Sequence, residues 1–95
     1  MVIQFVRLKS SLSEEELLKR AREREPRFKA LPGLIQKYYV SLGKPGEYGG
    51  IYVWDSESSV KAFKESELAA SIPGAYEVTE APNVEILDVL FQLRE

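Results

Sequence analysis

The amino-acid sequence predicts one α+β domain with elements in the order strand, helix, strand, strand, helix, strand, the four strands forming one antiparallel sheet. Stretches rich in β-branched residues alternate with two stretches that open with helix-start signals. A turn rich in glycine and proline joins the two middle strands directly, which is typical of an antiparallel hairpin. A chain of 95 residues can bury one core without disulfides, so we assign residues 1–95 to a single domain.

The first half of the chain begins with a strand and an amphipathic helix. Residues 2–9 are rich in β-branched and apolar side chains and predict the first strand. Ser13, followed three residues later by Glu16, forms a capping-box motif that starts the first helix. Pro26 has no backbone N–H to donate, so we expect a kink or a restart of the helix there. The dipeptide Pro32-Gly33 ends this helical segment.

A hairpin occupies the middle of the chain. Residues 34–42 predict the second strand, which is centred on two tyrosines and a valine. Residues 43–49 are dense in glycine and proline and predict the turn, and residues 50–54 predict the third strand.

A second helix follows the hairpin. Asp55 or Ser56 is the expected N-cap, and Val60 and Phe63 are the expected inward-facing residues. Residues 67–72 predict a short additional helical turn before the next Pro-Gly pair.

The last apolar stretch, residues 84–93, suits a buried strand or a core helix equally by its period. Its position after the second helix, and the turn-forming pair Pro82-Asn83 in front of it, favour a fourth strand.

Both faces of the predicted sheet are apolar, although only two helices are available to cover it. In the third strand, Ile51 and Val53 point to one face, while Tyr52 and Trp54 point to the other. A monomer seldom exposes so large an apolar surface, which predicts a homodimer. The alternative is that residues 64–83 fold over the second face and keep the chain monomeric.

Composition excludes several classes of function. The chain has no cysteine and no histidine, so thiol chemistry, thiolate or imidazole metal ligands and a histidine base are absent. We expect no metal site. A net charge of −2 with interspersed signs predicts no nucleic-acid partner. No apolar run is long enough to span a membrane, and residues 1–7 lack a signal-peptide pattern, so we expect a cytoplasmic protein.

Two short motifs carry a family resemblance. The segments Pro-Gly-Leu-Ile-Gln-Lys-Tyr-Tyr (residues 32–39) and Gly-Gly-Ile-Tyr-Val-Trp (residues 49–54) precede a capped helix that ends near Phe63. This pattern resembles the YdhR-type monooxygenases of the dimeric α+β barrel superfamily, which also contains the antibiotic-biosynthesis monooxygenases. The resemblance covers nearly the whole chain.

The resemblance implies a ferredoxin-like protomer with sheets that pair face to face in a dimeric α+β barrel, and a ligand cavity within each barrel or between sheet and helices. Some relatives oxygenate polycyclic aromatic substrates without metal or flavin, the substrate itself supplying electrons to oxygen. Others bind and degrade haem, usually through a histidine ligand. This chain has no histidine, so we expect no cofactor and a small apolar or aromatic ligand.

A cofactor-free oxygenation needs an apolar pocket with a few polar groups that stabilise a substrate anion. We expect Trp54 and Tyr52, which share one face of the third strand, to shape that pocket. Tyr39 would donate a hydrogen bond. Either Lys37, on the same face of its strand as Tyr39, or Gln4 on the first strand would stabilise the substrate anion.

Each assignment has a purely structural alternative. Aromatic residues on strands commonly serve as core, and a lysine such as Lys37 more often lies solvated along the sheet. Alternation selects Tyr39 over Tyr38 only if the strand register is as assumed. Tyr48, placed in the predicted turn, would cap the pocket or lie on the surface.

Two functions therefore remain open. The first is a cofactor-independent monooxygenase that acts on a small aromatic or quinol-like substrate. The second is a non-catalytic ligand-binding or regulatory dimer on the same scaffold, since this type of fold carries unrelated activities.

Overall fold

A computed structural model describes residues 1–94. Its elements are, in chain order, β1 (Val2–Lys9), α1 (Glu14–Lys29), β2 (Leu34–Ser41), β3 (Glu47–Trp54), α2 (Glu57–Lys64), α3 (Glu67–Ala70), α4 (Ile72–Ala75) and β4 (Asn83–Asp88). The strands form one antiparallel sheet in the order β2-β3-β1-β4. The prediction of a ferredoxin-like α+β fold is confirmed.

Helix α1 begins where the capping box predicts and ends at Lys29, shortly before the predicted stop at Pro32-Gly33. The Ser13 hydroxyl accepts a hydrogen bond from the Glu16 backbone N–H at 3.2 Å. The predicted restart at Pro26 is wrong, because α1 runs through this residue without interruption, and the alternative, a kink there, stays a prediction. Two contacts stabilise the helical turn after Pro26. Phe28 is buried in the core, and the Ala30 N–H donates a hydrogen bond to the Pro26 carbonyl. Packing of that last turn against the sheet outweighs the hydrogen bond that Pro26 cannot make.

The hairpin β2–β3 has a shorter turn than predicted. Strand β3 starts at Glu47, so Tyr48 lies within the strand, paired with Ser41 and Leu8, and is buried. The assignment of Tyr48 to the turn is therefore wrong, since the strand ladder extends through it. A bulge between Leu34 and Gln36 sets the register of the rest of β2.

The segment from α2 to α4 covers the same sheet face as α1. Ser56 is the N-cap of α2, and Val60 and Phe63 are buried, as predicted. Leu68 of α3 packs in one core cluster with these residues, and Ile72 contacts both core clusters. We call the face covered by α1 to α4 the inner face and the opposite one the outer face. The segment does not fold over the outer face.

Strand β4 is shorter than the predicted 84–93. It ends at Asp88 because its partner β1 begins at Val2, which pairs with Asp88. The apolar residues beyond it are strongly exposed: Leu90 at 93%, Phe91 at 77% and Leu93 at 85%.

The outer face carries a patch of apolar side chains. Ile3 pairs with Val53 and Phe5 with Ile51 across β1 and β3, and all four are only partly buried. Tyr38 lies beside Ile51 and is 54% exposed. Within residues 1–94, no helix has both the length and the apolar character needed to cross a membrane.

Candidate functional site

One cross-strand row on the inner face brings predicted site residues together. In β3, Tyr52 pairs with Lys37 of β2 on one side and with Gln4 of β1 on the other. In the neighbouring row, Tyr39 pairs with Gly50. The register therefore points Tyr39 inward with Lys37 and leaves Tyr38 on the outer face.

Gln4 and Trp54 form a buried pair behind this row. The Trp54 Nε1–H donates to Gln4 Oε1 at 3.0 Å, and the two residues are 0% and 3% exposed, respectively. The Trp54 ring stacks on Tyr52 with centroids 6.0 Å apart and planes 4° apart. These two residues lie in the core, where they fix the position of the Tyr52 ring.

The side chain of Lys37 ends in an aromatic cage. Its Nζ lies 3.7 Å from the Phe28 ring centroid, 4.3 Å from that of Tyr39 and 4.5 Å from that of Tyr52. All three distances are within the range of a cation–π interaction. Throughout residues 1–94, no carboxylate lies within ion-pair distance of this nitrogen. Aromatic faces thus take the place of a counter-ion.

Glycine at position 50 leaves room for this arrangement. A Cβ on Gly50 would lie 3.1 Å from Tyr52 Cε1 and 3.4 Å from Lys37 Cε. Any larger residue would therefore press on the cage from the sheet side.

Burial shifts the pKa of the lysine and the pKa values of the tyrosines in the cage in opposite directions. Burial, helped by the nearby positive charge of Arg24, lowers the pKa of Lys37 to about 7. Burial raises the pKa of Tyr39 to about 12 and raises that of Tyr52 as well. Near neutral pH the lysine can therefore accept or donate a proton, while both phenols stay protonated as hydrogen-bond donors.

Lys37 and Tyr39 line several spaces, two of which also touch Phe28 or Tyr52, the other rings of the cage. The first is a cavity of about 370 Å³ that is open to solvent. Besides these two residues, apolar Phe28, Leu34 and Ile35 and polar Glu25, Lys29 and Gln36 line it. Its volume falls in the range of small-molecule sites. The second is a small, mostly apolar space of about 30 Å³ on the other side, where Tyr48, Tyr52 and Tyr76 join them.

Three residues of this region were missed in the sequence: Phe28, Arg24 and Tyr76. The spacing of Arg24 and Phe28 on α1 places them on one helix face, a signal that was available. Tyr76 lies in a segment without period, so nothing local marks it.

The structure thus gathers Lys37, Tyr39, Tyr48 and Tyr52 around the two spaces, and sets Gln4 and Trp54 behind them. The catalytic and substrate-binding roles assigned to these residues stay predictions.

No family model matches the sequence, and no curated protein matches it. Several solved structures do resemble it. One is NE2512 from Nitrosomonas europaea, a protein of unknown function, with 22% sequence identity and a TM-score of 0.78. The match covers 96% of this chain and 90% of that one. SnoaB from Streptomyces nogalater, a cofactor-independent oxygenase, is 14% identical with a TM-score of 0.76 and coverage of 99% and 97%. A candidate antibiotic biosynthesis monooxygenase from Deinococcus radiodurans is 15% identical with a TM-score of 0.75 and coverage of 100% and 98%.

These likenesses show a shared fold, that of the antibiotic biosynthesis monooxygenases. The narrower resemblance to the YdhR-type proteins stays a prediction.

Proposed function

We propose that this protein is a cofactor-independent monooxygenase that acts on a small aromatic or quinol-like substrate. The observation that carries the proposal is the caged amine of Lys37, which borders a cavity of about 370 Å³ and has no carboxylate partner within residues 1–94. The fold it shares with SnoaB supports the same activity.

The cavity suits a flat apolar ligand. Phe28, Leu34 and Ile35 provide apolar walls, and Tyr39 provides both a ring face and a hydroxyl group. An aromatic ring held there lies next to the amine, with the Tyr39 hydroxyl as a donor to an oxygen of the substrate.

The proposed reaction starts with a proton transfer. The neutral form of Lys37, well populated near pH 7, takes the proton of a substrate hydroxyl or of an activated ring carbon. The resulting anion is delocalised over the ring, and the Lys37 ammonium and the Tyr39 hydroxyl stabilise its oxygen.

The anion then supplies electrons to dioxygen. A carbon–oxygen bond forms at the ring carbon, and the peroxide anion takes a proton from the Lys37 ammonium. The remaining hydrogen of that carbon leaves as the O–O bond breaks, giving a carbonyl group and water. One methylene carbon loses four electrons and one dioxygen molecule gains them, so the step balances.

We extend the proposal to a homodimer. The outer face exposes Tyr38 and leaves Ile3, Phe5, Ile51 and Val53 partly uncovered, and the segment after β2–β3 does not shield it. A second copy of the chain offers the same apolar surface in a self-complementary way.

Oxygen uptake with a panel of hydroxyanthrones, which contain the ring methylene that the step oxidises, tests the activity, each rate being corrected for autoxidation in buffer. We expect uptake by the wild type and a loss of tenfold or more in Lys37→Gln. Lys44→Gln, which removes a similar charge from the exposed hairpin turn, serves as the matched control and should leave the rate unchanged. Ligand binding without oxygen uptake would favour the non-catalytic alternative, and equal rates in the two variants would remove Lys37 from the chemistry.

A further inference from the structure

The amine of Lys37 lies at the wall of the large cavity. Two of the rings around its Nζ, Phe28 at 3.7 Å and Tyr39 at 4.3 Å, also line the cavity of about 370 Å³. Lys37 itself lines this cavity and is only partly buried. A small aromatic molecule in the cavity therefore lies next to a primary amine.

Arg24 adds a second positive charge close to this amine. Its guanidinium carbon lies 5.7 Å from the centroid of the Phe28 ring, the ring that Lys37 Nζ approaches to 3.7 Å. The Arg24 Nη2 group donates to Ser71 Oγ at 2.9 Å, which holds the guanidinium in place. A guanidinium keeps its charge near neutral pH, so it disfavours a second charge on Lys37 and favours the neutral amine.

The acid nearest to the cavity is engaged elsewhere. Glu25, which also lines the cavity, lies 3.6 Å from Lys29 and 3.7 Å from Arg22. Among residues 1–94, no carboxylate forms an ion pair with Lys37 or with Arg24. Desolvation in an apolar pocket and a neighbouring cation are the two conditions that make a lysine nucleophilic toward carbonyl compounds. Both conditions are met at Lys37.

We infer that Lys37 captures an aromatic aldehyde from the large cavity as a Schiff base. The inference rests on the aromatic-ligand cavity of the proposed function and not on its reaction with oxygen. Phe28, Leu34 and Ile35 offer apolar contacts to the ring of the aldehyde. Tyr39, which also lines the cavity, offers its hydroxyl group to the aldehyde oxygen.

The capture is a condensation without a change of oxidation state. The nitrogen lone pair of Lys37 forms a bond to the carbonyl carbon, the π electrons move to the oxygen, and a proton passes from nitrogen to oxygen through solvent. The resulting hydroxyl group takes the proton of the Tyr39 hydroxyl and leaves as water. The remaining N–H proton returns to the Tyr39 oxygen as the carbon–nitrogen double bond forms. One amine and one aldehyde thus give one imine and one water molecule.

Reductive trapping under argon tests the inference on the wild-type protein. The protein is incubated at pH 7 with 2-naphthaldehyde and cyanoborohydride, and the modified lysines are located by peptide mass spectrometry. We expect Lys37 to be labelled at least tenfold faster than Lys44, an exposed lysine in the hairpin turn. Because both rates come from one protein, the comparison does not depend on the folding of any variant. Equal labelling of the two lysines would overturn the inference.

A second aldehyde and two variants test the parts of the site. Propanal has no ring to place in the cavity, so its preference for Lys37 over Lys44 should be smaller than that of 2-naphthaldehyde. Arg24→Gln removes the neighbouring cation and should slow the labelling of Lys37 at least threefold. Arg27→Gln removes the same charge from an exposed position on α1 and should leave the labelling rate unchanged.

The outcomes separate this capture from the proposed oxygenation. Selective trapping at Lys37 without oxygen uptake would uphold the capture and contradict the oxygenation. Oxygen uptake without selective trapping would do the reverse. An equal preference of propanal and 2-naphthaldehyde for Lys37 would overturn the assignment of the cavity as the binding place of the aromatic ring.

Discussion

The Trp54 indole N–H donates a hydrogen bond of 3.0 Å to the Gln4 side-chain oxygen, and this bond joins β3 to β1 inside the core. It holds the Trp54 ring flat against Tyr52, which in turn forms one wall of the Lys37 cage. Gln4 therefore influences the Lys37 amine indirectly, through Trp54 and Tyr52.

Replacement of Gln4 should destabilise the fold. Gln4→Leu leaves the buried indole N–H unpaired, so we expect the free energy of unfolding to fall by about 1–3 kcal/mol in urea titrations. The double variant Gln4→Leu with Trp54→Phe has no indole donor to leave unpaired. Its loss should be smaller than the two single losses combined, and strictly additive losses would contradict the importance of this bond.

The ionisation of Lys37 is open to direct measurement. Its Cε resonance should titrate with a midpoint at about pH 7, because burial and Arg24 disfavour the charged amine. Arg24→Gln should raise the midpoint by removing a positive charge, whereas the exposed Arg27→Gln should not move it. Lys9, whose pKa is raised by its pairing with Glu80, is an internal control that stays protonated. A wild-type midpoint near 10.5, the ordinary value for lysine, would contradict the lowering of the Lys37 pKa by burial.

The same ionisation sets the expected pH dependence of oxygenation. A general base acts in its neutral form, and the pKa of Lys37 is lowered, so turnover should rise as the pH increases through about 7. Oxygen-uptake rates measured between pH 5.5 and 8.5 should show most of this rise within about one pH unit on either side of the midpoint. A rate that falls with increasing pH over this range would contradict a base role for Lys37.

The adjacent tyrosines Tyr38 and Tyr39 form a natural matched pair. Tyr39→Phe removes a donor from the inner face, and a single donor to a developing oxyanion is typically worth about a hundredfold or more in rate. We expect oxygen uptake to fall by at least tenfold. Tyr38→Phe makes the same chemical change on the outer face and should leave the rate near that of the wild type. Equal effects of the two changes would place the donor elsewhere.

The oligomeric state follows from the outer face. Sedimentation equilibrium at micromolar concentration should give twice the 10.8 kDa mass of one chain. Ile51→Lys places a charge at the centre of the apolar patch, paired with Phe5 and Tyr38, and should yield the monomer. Ser58→Lys adds the same charge to the exposed side of α2 and should remain dimeric. A wild-type protein that sediments as a monomer would contradict the dimer.

Local signals determined much of the fold. The capping motif at Ser13 and Glu16 and the cap at Ser56 gave the starts of α1 and α2, because a cap depends on a few neighbouring residues. Alternation also put Lys37 and Tyr39 on a common face, because successive side chains of a strand point to opposite sides.

Other features depended on contacts between distant parts of the chain. The helix continues past Pro26 because the turn beyond it is packed on the sheet, and β4 stops at Asp88, the partner of Val2, where β1 begins. Neither the continuation of α1 nor the end of β4 is determined by residues adjacent in the sequence.

The sequence by itself determined the order of the elements and the face on which Lys37 lies. Only the tertiary structure decided what surrounds that amine, since Phe28 comes from α1, Tyr52 from β3 and Tyr76 from the segment after α4. Burial in that setting, rather than any property of the lysine itself, is what lowers its pKa to about 7. A periodic pattern records which side of an element faces inward, but not which side chains meet there.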